Sequence, residues 1–315
     1  MKEKKITAAT INKYAMLIVL IAVVVILSIA QPVFLTKDNI LNVLRQVSIT
    51  GYIAIGMLMV IITSGIDLSA GVMVGLTAAI GADFAHPGQP WFMGVIVALA
   101  MGALFGLIAG LLIAFLNLPP FIATLGTKLI INGVALIYTD GHPTTDLAEG
   151  FLKIGGGSFI GVPIPVWILI VCLIIGYFLL NHTCYGRYLY AIGGNENSAK
   201  LAGVPVRLTK VVVYVLSGVF AGLSGIVLAS RVAAGSPVAG LNYEMDAITI
   251  VVIGGCSLAG GSGTIPGAIL GMLLIGVVTN GMNLLNISSY WQLLVKGVII
   301  LIAVIMDTMS KKSKN

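Results

Sequence analysis

The stretch NHTCYGRYLYAIGGNENSAKLAGVPVRLTK, Asn181 to Lys210, interrupts an otherwise oily chain, and its charge decides how the rest is threaded. It carries Arg187, Lys200, Arg207 and Lys210 in a chain of 315 residues that is 58% hydrophobic and only 9% charged. A soluble domain carries roughly 25% charged residues. The composition therefore predicts an all-α integral membrane protein. Inside the polar island, Gly193-Gly194-Asn195-Glu196-Asn197-Ser198-Ala199-Lys200-Leu201-Ala202-Gly203 reads as a capped helix of about two turns. Asn195 can accept from the first free backbone N–H groups, Glu196 suits the positive N-terminal end, and Gly203 followed by Pro205 stops the helix. Leu201 and Ala202 offer it a small apolar face. Such a segment either docks another protein or is an ordinary solvated loop.

The net charge of +6 does not point to nucleic acid, because eleven of the seventeen Lys and Arg fall in three segments. These are Lys2, Lys4, Lys5 and Lys13 at the front, the four basic residues of the island, and Lys311, Lys312 and Lys314 at the end. Clustering of this kind is the positive-inside pattern. It places residues 1–13, the loop 181–210 and the basic tail 308–315 in the cytoplasm, with 14–307 as a single polytopic domain. Outside lie mainly acidic residues: Asp38, Asp83, Asp140, Asp146, Glu149, Glu244 and Asp246. Cys172, Cys184 and Cys256 show neither disulfide pairing nor metal spacing. Lys4 and Lys5 before an apolar run resemble a signal peptide with Ser28-Ile29-Ala30 as its cleavage site, but the run from Tyr14 to Ala30 is longer than the usual h-region. It is expected to stay as the first span.

A helix needs about 20 apolar residues to cross the bilayer. After Gln31-Pro32, Asp38 can cap a helix with Ile40, Leu41, Val43, Leu44 and Val47 on one side and Asn39, Asn42, Arg45 and Gln46 on the other. That pattern predicts an interfacial helix feeding a second span from Gly51 to Thr63. Apolar sequence resumes from Ala70 to Ala82 after the break Ser64-Gly65-Ile66-Asp67-Leu68-Ser69. Trp91 to Leu116 follows, with Gly102, Gly106 and Gly110 spaced for close helix packing. Next come Phe121 to Tyr138, the main external loop Thr139 to Pro163, Pro165 to Leu180, and Val211 to Ser230 beyond the island. Ala247 to Cys256 enters a second break, residues 254–267. Ala268 to Met282 and a last span from Tyr290 through Ile305 complete about ten crossings, with both termini cytoplasmic.

The breaks Gly65-Ile66-Asp67-Leu68-Ser69-Ala70-Gly71 and Gly255-Cys256-Ser257-Leu258-Ala259-Gly260-Gly261 look related. Interrupted helices at corresponding positions are expected of an internally repeated transporter whose unwound backbone lines the path, while glycine-rich packing alone would also produce them. Asp67, Ser69, Ser257, Asn280, Asn283 and Gln292 are the candidate lining of that path. Asp67, a carboxylate at membrane depth, either accepts from a polar solute, caps the half-helix starting near Ser69, or pairs with Lys128 or Lys296. The amides Asn280, Asn283, Asn286 and Gln292 suit a hydroxylated solute, or glue helices together. No P-loop, metal-spaced histidine or hydrolase motif is present, so the chain is not expected to be an enzyme or to hold a cofactor of its own. His86, His142 and His182 stand isolated in loops.

Five stretches carry a resemblance: TSGIDLSAGVMVGLTAAIGA at Thr63 to Ala82, PFIATLGT at Pro120 to Thr127, GRYLYAIGGNENSAKLAGV at Gly186 to Val204, YEMDAITIVVIGGCSLAGGSGTIPGAILG at Tyr243 to Gly271, and YWQLLVKGVIILIAVIMD at Tyr290 to Asp307. Together they resemble the membrane subunit of bacterial monosaccharide ABC importers, from about Val33 to Asp307. Gly161-Val162-Pro163-Ile164-Pro165-Val166-Trp167 is similar to the ribose type more than to the galactoside type.

The resemblance implies a permease domain in the bacterial cytoplasmic membrane that moves a monosaccharide, D-ribose foremost, inward. It implies a homodimer, a tandem-cassette ATPase chain that binds the ATP and Mg, and an extracytoplasmic sugar-binding protein. It also implies that Gly193 to Gly203 is the coupling helix seated in a groove of the ATPase, so that closure of the cassettes switches the cavity between outward and inward access. Arg231, Glu244 and Asp246 would meet the binding protein, although both carboxylates would equally serve to cap the helix beginning near Ala247. The rivals are the same kind of permease for galactose, xylose or autoinducer-2, an ion-coupled secondary transporter using Asp67, and a membrane scaffold.

Overall fold

The computed structural model describes residues 8–312. Lys2, Lys4, Lys5 and Lys314, which contribute to the expected orientation, lie outside the described residues. Among the described residues the chain forms helices α1 (Ala8–Ala30), α2 (Lys37–Ile62), α3 (Ala70–Asp83), α4 (Trp91–Phe115), α5 (Pro120–Thr139), α6 (Glu149–Gly156) and α7 (Ile164–His182). They are followed by α8 (Cys184–Gly194), α9 (Glu196–Leu201), α10 (Val206–Val232), α11 (Tyr243–Ile253), α12 (Ile265–Leu284) and α13 (Ser289–Lys312). A hairpin of β1 (Ser158–Phe159) and β2 (Val162–Pro163) lies between α6 and α7. Helices α2, α4, α5, α7, α10 and α12 are each long and apolar enough to cross a bilayer, and Met16–Ala30, Ala70–Asp83 and Ser289–Ile302 are shorter apolar segments. This is an all-α, multi-pass membrane architecture.

Helix α2 corrects one expectation. It is a single helix of 26 residues, about 39 Å at 1.5 Å per residue, rather than an interfacial helix feeding a short span. Thr36, not Asp38, caps it, its hydroxyl accepting from the Asn39 N–H. Of the polar residues in its first half, Asn39 is buried, at 9% exposed, Arg45 and Gln46 are half-buried, and Asn42 stays exposed. Every residue from Gly51 to Ile62 is buried, so α2 runs through the middle of the bundle with α10, α11, α12 and α7 around it.

A close seam joins α4 to α10. A Cβ on Gly102 would stand 2.3 Å from the Gly218 carbonyl oxygen, one on Gly218 would stand 2.0 Å from that of Gly102, and one on Gly106 would stand 2.4 Å from that of Tyr214. Only hydrogen lets the two backbones approach this closely, as the four-residue glycine spacing predicts. The loop expected outside is more ordered than its composition suggests. Phe151 of α6 is fully buried, and Ser230 of α10 donates to the Phe151 carbonyl and accepts from the Gly155 N–H, both at 2.6 Å. The polar island folds into two helices, α8 and α9, where one short helix is expected.

Candidate functional site

Both breaks are present, and they touch. The first spans residues 63–69 between α2 and α3, with Ser64 in the left-handed region at φ 62. The second spans residues 254–264 between α11 and α12, three residues shorter than expected because Thr264 already caps α12 by accepting from the Gly267 N–H. Gly255, Gly260 and Gly261 lie there at φ +88, +86 and +71, a region that only glycine adopts without strain. The Ser64 hydroxyl donates to the Ala259 carbonyl at 2.8 Å, and the Gly261 N–H donates to the Ile62 carbonyl at 2.9 Å.

Asp67 sits within the first break, buried, and pairs with neither Lys128 nor Lys296. Its Oδ1 accepts from the Ser69 N–H at 3.0 Å and the Ser69 hydroxyl at 2.6 Å, and its Oδ2 accepts from the Ser217 hydroxyl of α10 at 2.7 Å. The carboxylate thus holds the entry to α3 against α10, and Ser69 is committed to it. Ser257 does comparable work in the second break, its hydroxyl accepting from the Ala259 N–H at 3.2 Å. Backbone freed from helix is here satisfied inside the protein, as membrane depth requires.

The island packs directly beneath this junction. Gly193, at the end of α8, lies so close that a Cβ there would stand 1.8 Å from the Ile62 carbonyl oxygen and 2.4 Å from the Gly261 nitrogen. The Tyr190 hydroxyl donates to the Gly263 carbonyl at 2.8 Å, and burial pushes its pKa above the usual tyrosine value. Helix α9 then turns away. The Asn195 side chain accepts from the Ser198 N–H at 2.9 Å, and Gly203 leaves at φ +82. Ala199 is buried with Ile192 and Val206, Glu196 bridges to Lys210 at 2.6 Å, and Leu201 points outward, 90% exposed.

At the opposite end, where Arg231 and Asp246 lie, a polar cavity of about 550 Å³ opens between α2, α10, α11, α12 and α13. Four expected residues meet in it: Arg231, Asp246, Asn283 and Gln292. Arg231 donates to Asn42 at 2.9 Å, Lys296 bridges to Asp246 at 2.8 Å, and Gln292 donates to Asn283 at 2.7 Å. Asp67, Ser69, Ser257 and Asn280 do not line it. Asn42, Gln46, Thr50, Tyr243, Thr279 and Lys296 line it too, and were not expected there. Their signal in the sequence is the i, i+4, i+8 spacing of Asn42, Gln46 and Thr50, one polar stripe on an otherwise apolar helix.

Two residues have other duties. Glu244 is 0% exposed, and its Oε1 lies 2.5 Å from the Lys128 ammonium of α5, so it presents nothing to an external protein. It fits because residue 71 is glycine: a Cβ there would stand 1.8 Å from the second carboxylate oxygen. Asn280 and Asn39 exchange two amide hydrogen bonds, of 3.0 and 2.9 Å, which tie α12 to the start of α2. Asn280→Leu is therefore expected to leave Asn39 Oδ1 without its donor, while Nδ2 keeps the Phe34 carbonyl at 2.8 Å, and to cost about 1–2 kcal/mol. Thermal unfolding in detergent checks this: Asn39→Leu/Asn280→Leu should recover most of the loss, and a double variant no better than the single one would show that the pair is not coupled.

The family described as branched-chain amino acid transport system / permease component matches residues 39–304, and the chain belongs to it. Among its curated relatives are ribose import permease proteins RbsC. The one from Bacillus subtilis is 46% identical over 91% of this chain and 90% of its own length. That from Escherichia coli K12 is 43% identical over 96% and 95%, and that from Haemophilus influenzae 43% over 92% and 91%. No solved structure matches.

Proposed function

We propose that this chain is the membrane subunit of a bacterial ATP-driven importer that carries D-ribose into the cytoplasm. The observation that carries the reading is the 43–46% identity to ribose import permeases over more than nine-tenths of the chain. In this reading the chain crosses the cytoplasmic membrane ten times, α3, α11 and the flanking helices included, with both termini inside. The cavity around Arg231, Asp246, Asn283 and Gln292 is the outer mouth of the path, and Arg231 and its surroundings receive the sugar-loaded binding protein. A homodimer of the chain frames the route between two copies. The chain is not an enzyme: ATP and Mg belong to a partner with two nucleotide-binding cassettes.

Gly193 to Gly203 is the segment that takes up the ATPase stroke. The outward Leu201 offers the partner an apolar contact, while Gly193 lies against the Ile62 carbonyl at the end of α2 and the Gly261 nitrogen of the second break, so displacement of the island reaches the bundle without an intermediate layer. Burial of Asp67 away from the cavity, with its lone pairs occupied by serine hydroxyls and an N–H, favours this reading over ion coupling through that residue.

The test is uptake of labelled ribose into proteoliposomes holding the tagged chain, the ATPase that co-purifies with it, and the binding protein. Uptake is expected with ATP and absent without it, and replacing 196–200 by a Gly/Ser linker should reduce it at least tenfold while the chain stays in the membrane. Uptake driven by an ion gradient without ATP would instead establish a secondary transporter, and the absence of any flux would favour the scaffold.

A further inference from the structure

A second concave site lies between α9, the first turns of α10 and the last turn of α4, with a volume of about 460 Å³. Lys200, Arg207 and Lys210 line it, with Glu196 as its carboxylate. Glu196 is already engaged by Lys210 at 2.6 Å. Arg207 lies over the ring of Phe115, 5.6 Å from its centroid, and among the described residues neither Arg207 nor Lys200 has a carboxylate within salt-bridge distance. The groove thus sets three cations against the one carboxylate of Glu196, which Lys210 already engages.

Its rim is apolar. Leu208, which lines the groove, is 62% exposed, and Leu116, which follows α4, is 65% exposed. Bare leucines at the ends of two membrane-crossing helices mark the level of the acyl chains, so the basic pocket lies at headgroup height beside them. The outward side of α9, carrying Leu201, points elsewhere and leaves the groove free when a protein docks on that helix.

We propose that this groove binds the phosphate of an anionic phospholipid of the cytoplasmic leaflet, with Lys200 and Arg207 on the phosphate and Leu116 and Leu208 along the first carbons of its chains. The leaflet assignment rests on the cytoplasmic placement of the island. A lipid seated between α4, α9 and α10 would brace the coupling segment against the bundle and make its output depend on the anionic lipid content of the membrane.

The experiment uses the complex of the chain with its ATPase in nanodiscs of equal phosphatidylglycerol and phosphatidylcholine, and quantifies retained lipid by native mass spectrometry. Wild type is expected to retain phosphatidylglycerol selectively. Lys200→Gln/Arg207→Gln should lose roughly twenty- to thirtyfold of that preference, at about fivefold per basic residue, while Lys200→Arg/Arg207→Lys keeps most of it. Equal retention of both lipids by wild type, or full retention by the glutamine variant, would overturn the proposal. Displacement by millimolar inorganic phosphate alone would make this a free-phosphate site and overturn the lipid assignment. Sidedness is read independently, by labelling Asn197→Cys with an impermeant maleimide in intact and lysed cells. Labelling from outside would overturn the cytoplasmic-leaflet assignment, while the selectivity read by mass spectrometry stands or falls separately.

Discussion

Gly193→Ala is expected to reduce ATP-dependent uptake at least tenfold while the chain remains folded in the membrane. The added methyl would meet the Ile62 carbonyl at 1.8 Å and the Gly261 nitrogen at 2.4 Å, and both are backbone atoms that cannot swing aside. Either α8 lifts off the junction or the hydrogen bond from the Gly261 N–H to the Ile62 carbonyl opens. Overpacking of this kind costs about 1–3 kcal/mol, and it falls on the one contact that has to transmit motion. The neighbouring residue supplies the control, since a Cβ at Gly194 meets nothing within 4 Å. Uptake and binding-protein-stimulated ATP hydrolysis should both fall in Gly193→Ala and survive in Gly194→Ala. Equal, near wild-type uptake in the two variants would show that the contact between island and breaks transmits nothing.

Lys128→Met is expected to destabilise the protein by about 3–5 kcal/mol, because it leaves the Glu244 carboxylate buried without a counter-charge. Glu244 has no solvent-exposed surface, and its Oε2 has no hydrogen-bond partner even in the intact pair. The lysine, with 23% of its side chain exposed, is the only cation within salt-bridge distance of that carboxylate among the described residues. Thermal unfolding in detergent and abundance in the membrane would both register the loss. Lys128→Met/Glu244→Met keeps the volume and removes both charges, so it should recover most of the stability; a double variant as weak as the single one would assign the cost to packing of α5 instead.

Much of this was legible in the sequence because glycine and capping residues act locally. The two breaks, the cap at Asn195 and the Gly102/Gly106/Gly110 seam each follow from residues within a turn or two of one another. Residues whose partners lie far along the chain were not legible. Asn39, Asn42 and Gln46 look like the wet side of an interfacial helix; only the packing of α12 against α2 buries Asn39, and α10 to α13 enclose the cavity that Asn42 and Gln46 line. The pocket for Glu244 exists because Gly71, on another helix, lacks a side chain, and no local pattern reports that. Helix α8 is not evident from local propensity because Tyr and Gly are weak helix formers; burial of Leu189 and Ile192 holds it in place.

The unbroken burial of α2 from Gly51 to Ile62 bears on how the protein fits its membrane. A bilayer that is too thick or too thin acts only on helices that touch it. Much of α4 and α7 is exposed, with Leu107, Leu111, Ile170 and Ile174 among the bare side chains, so these outer helices absorb the mismatch by tilting. The inner half of α2 has no contact through which lipid can pull on it. The junction at its end, where both breaks and the island meet, is thereby insulated from changes in bilayer thickness, and the membrane's composition reaches it only through the headgroup level.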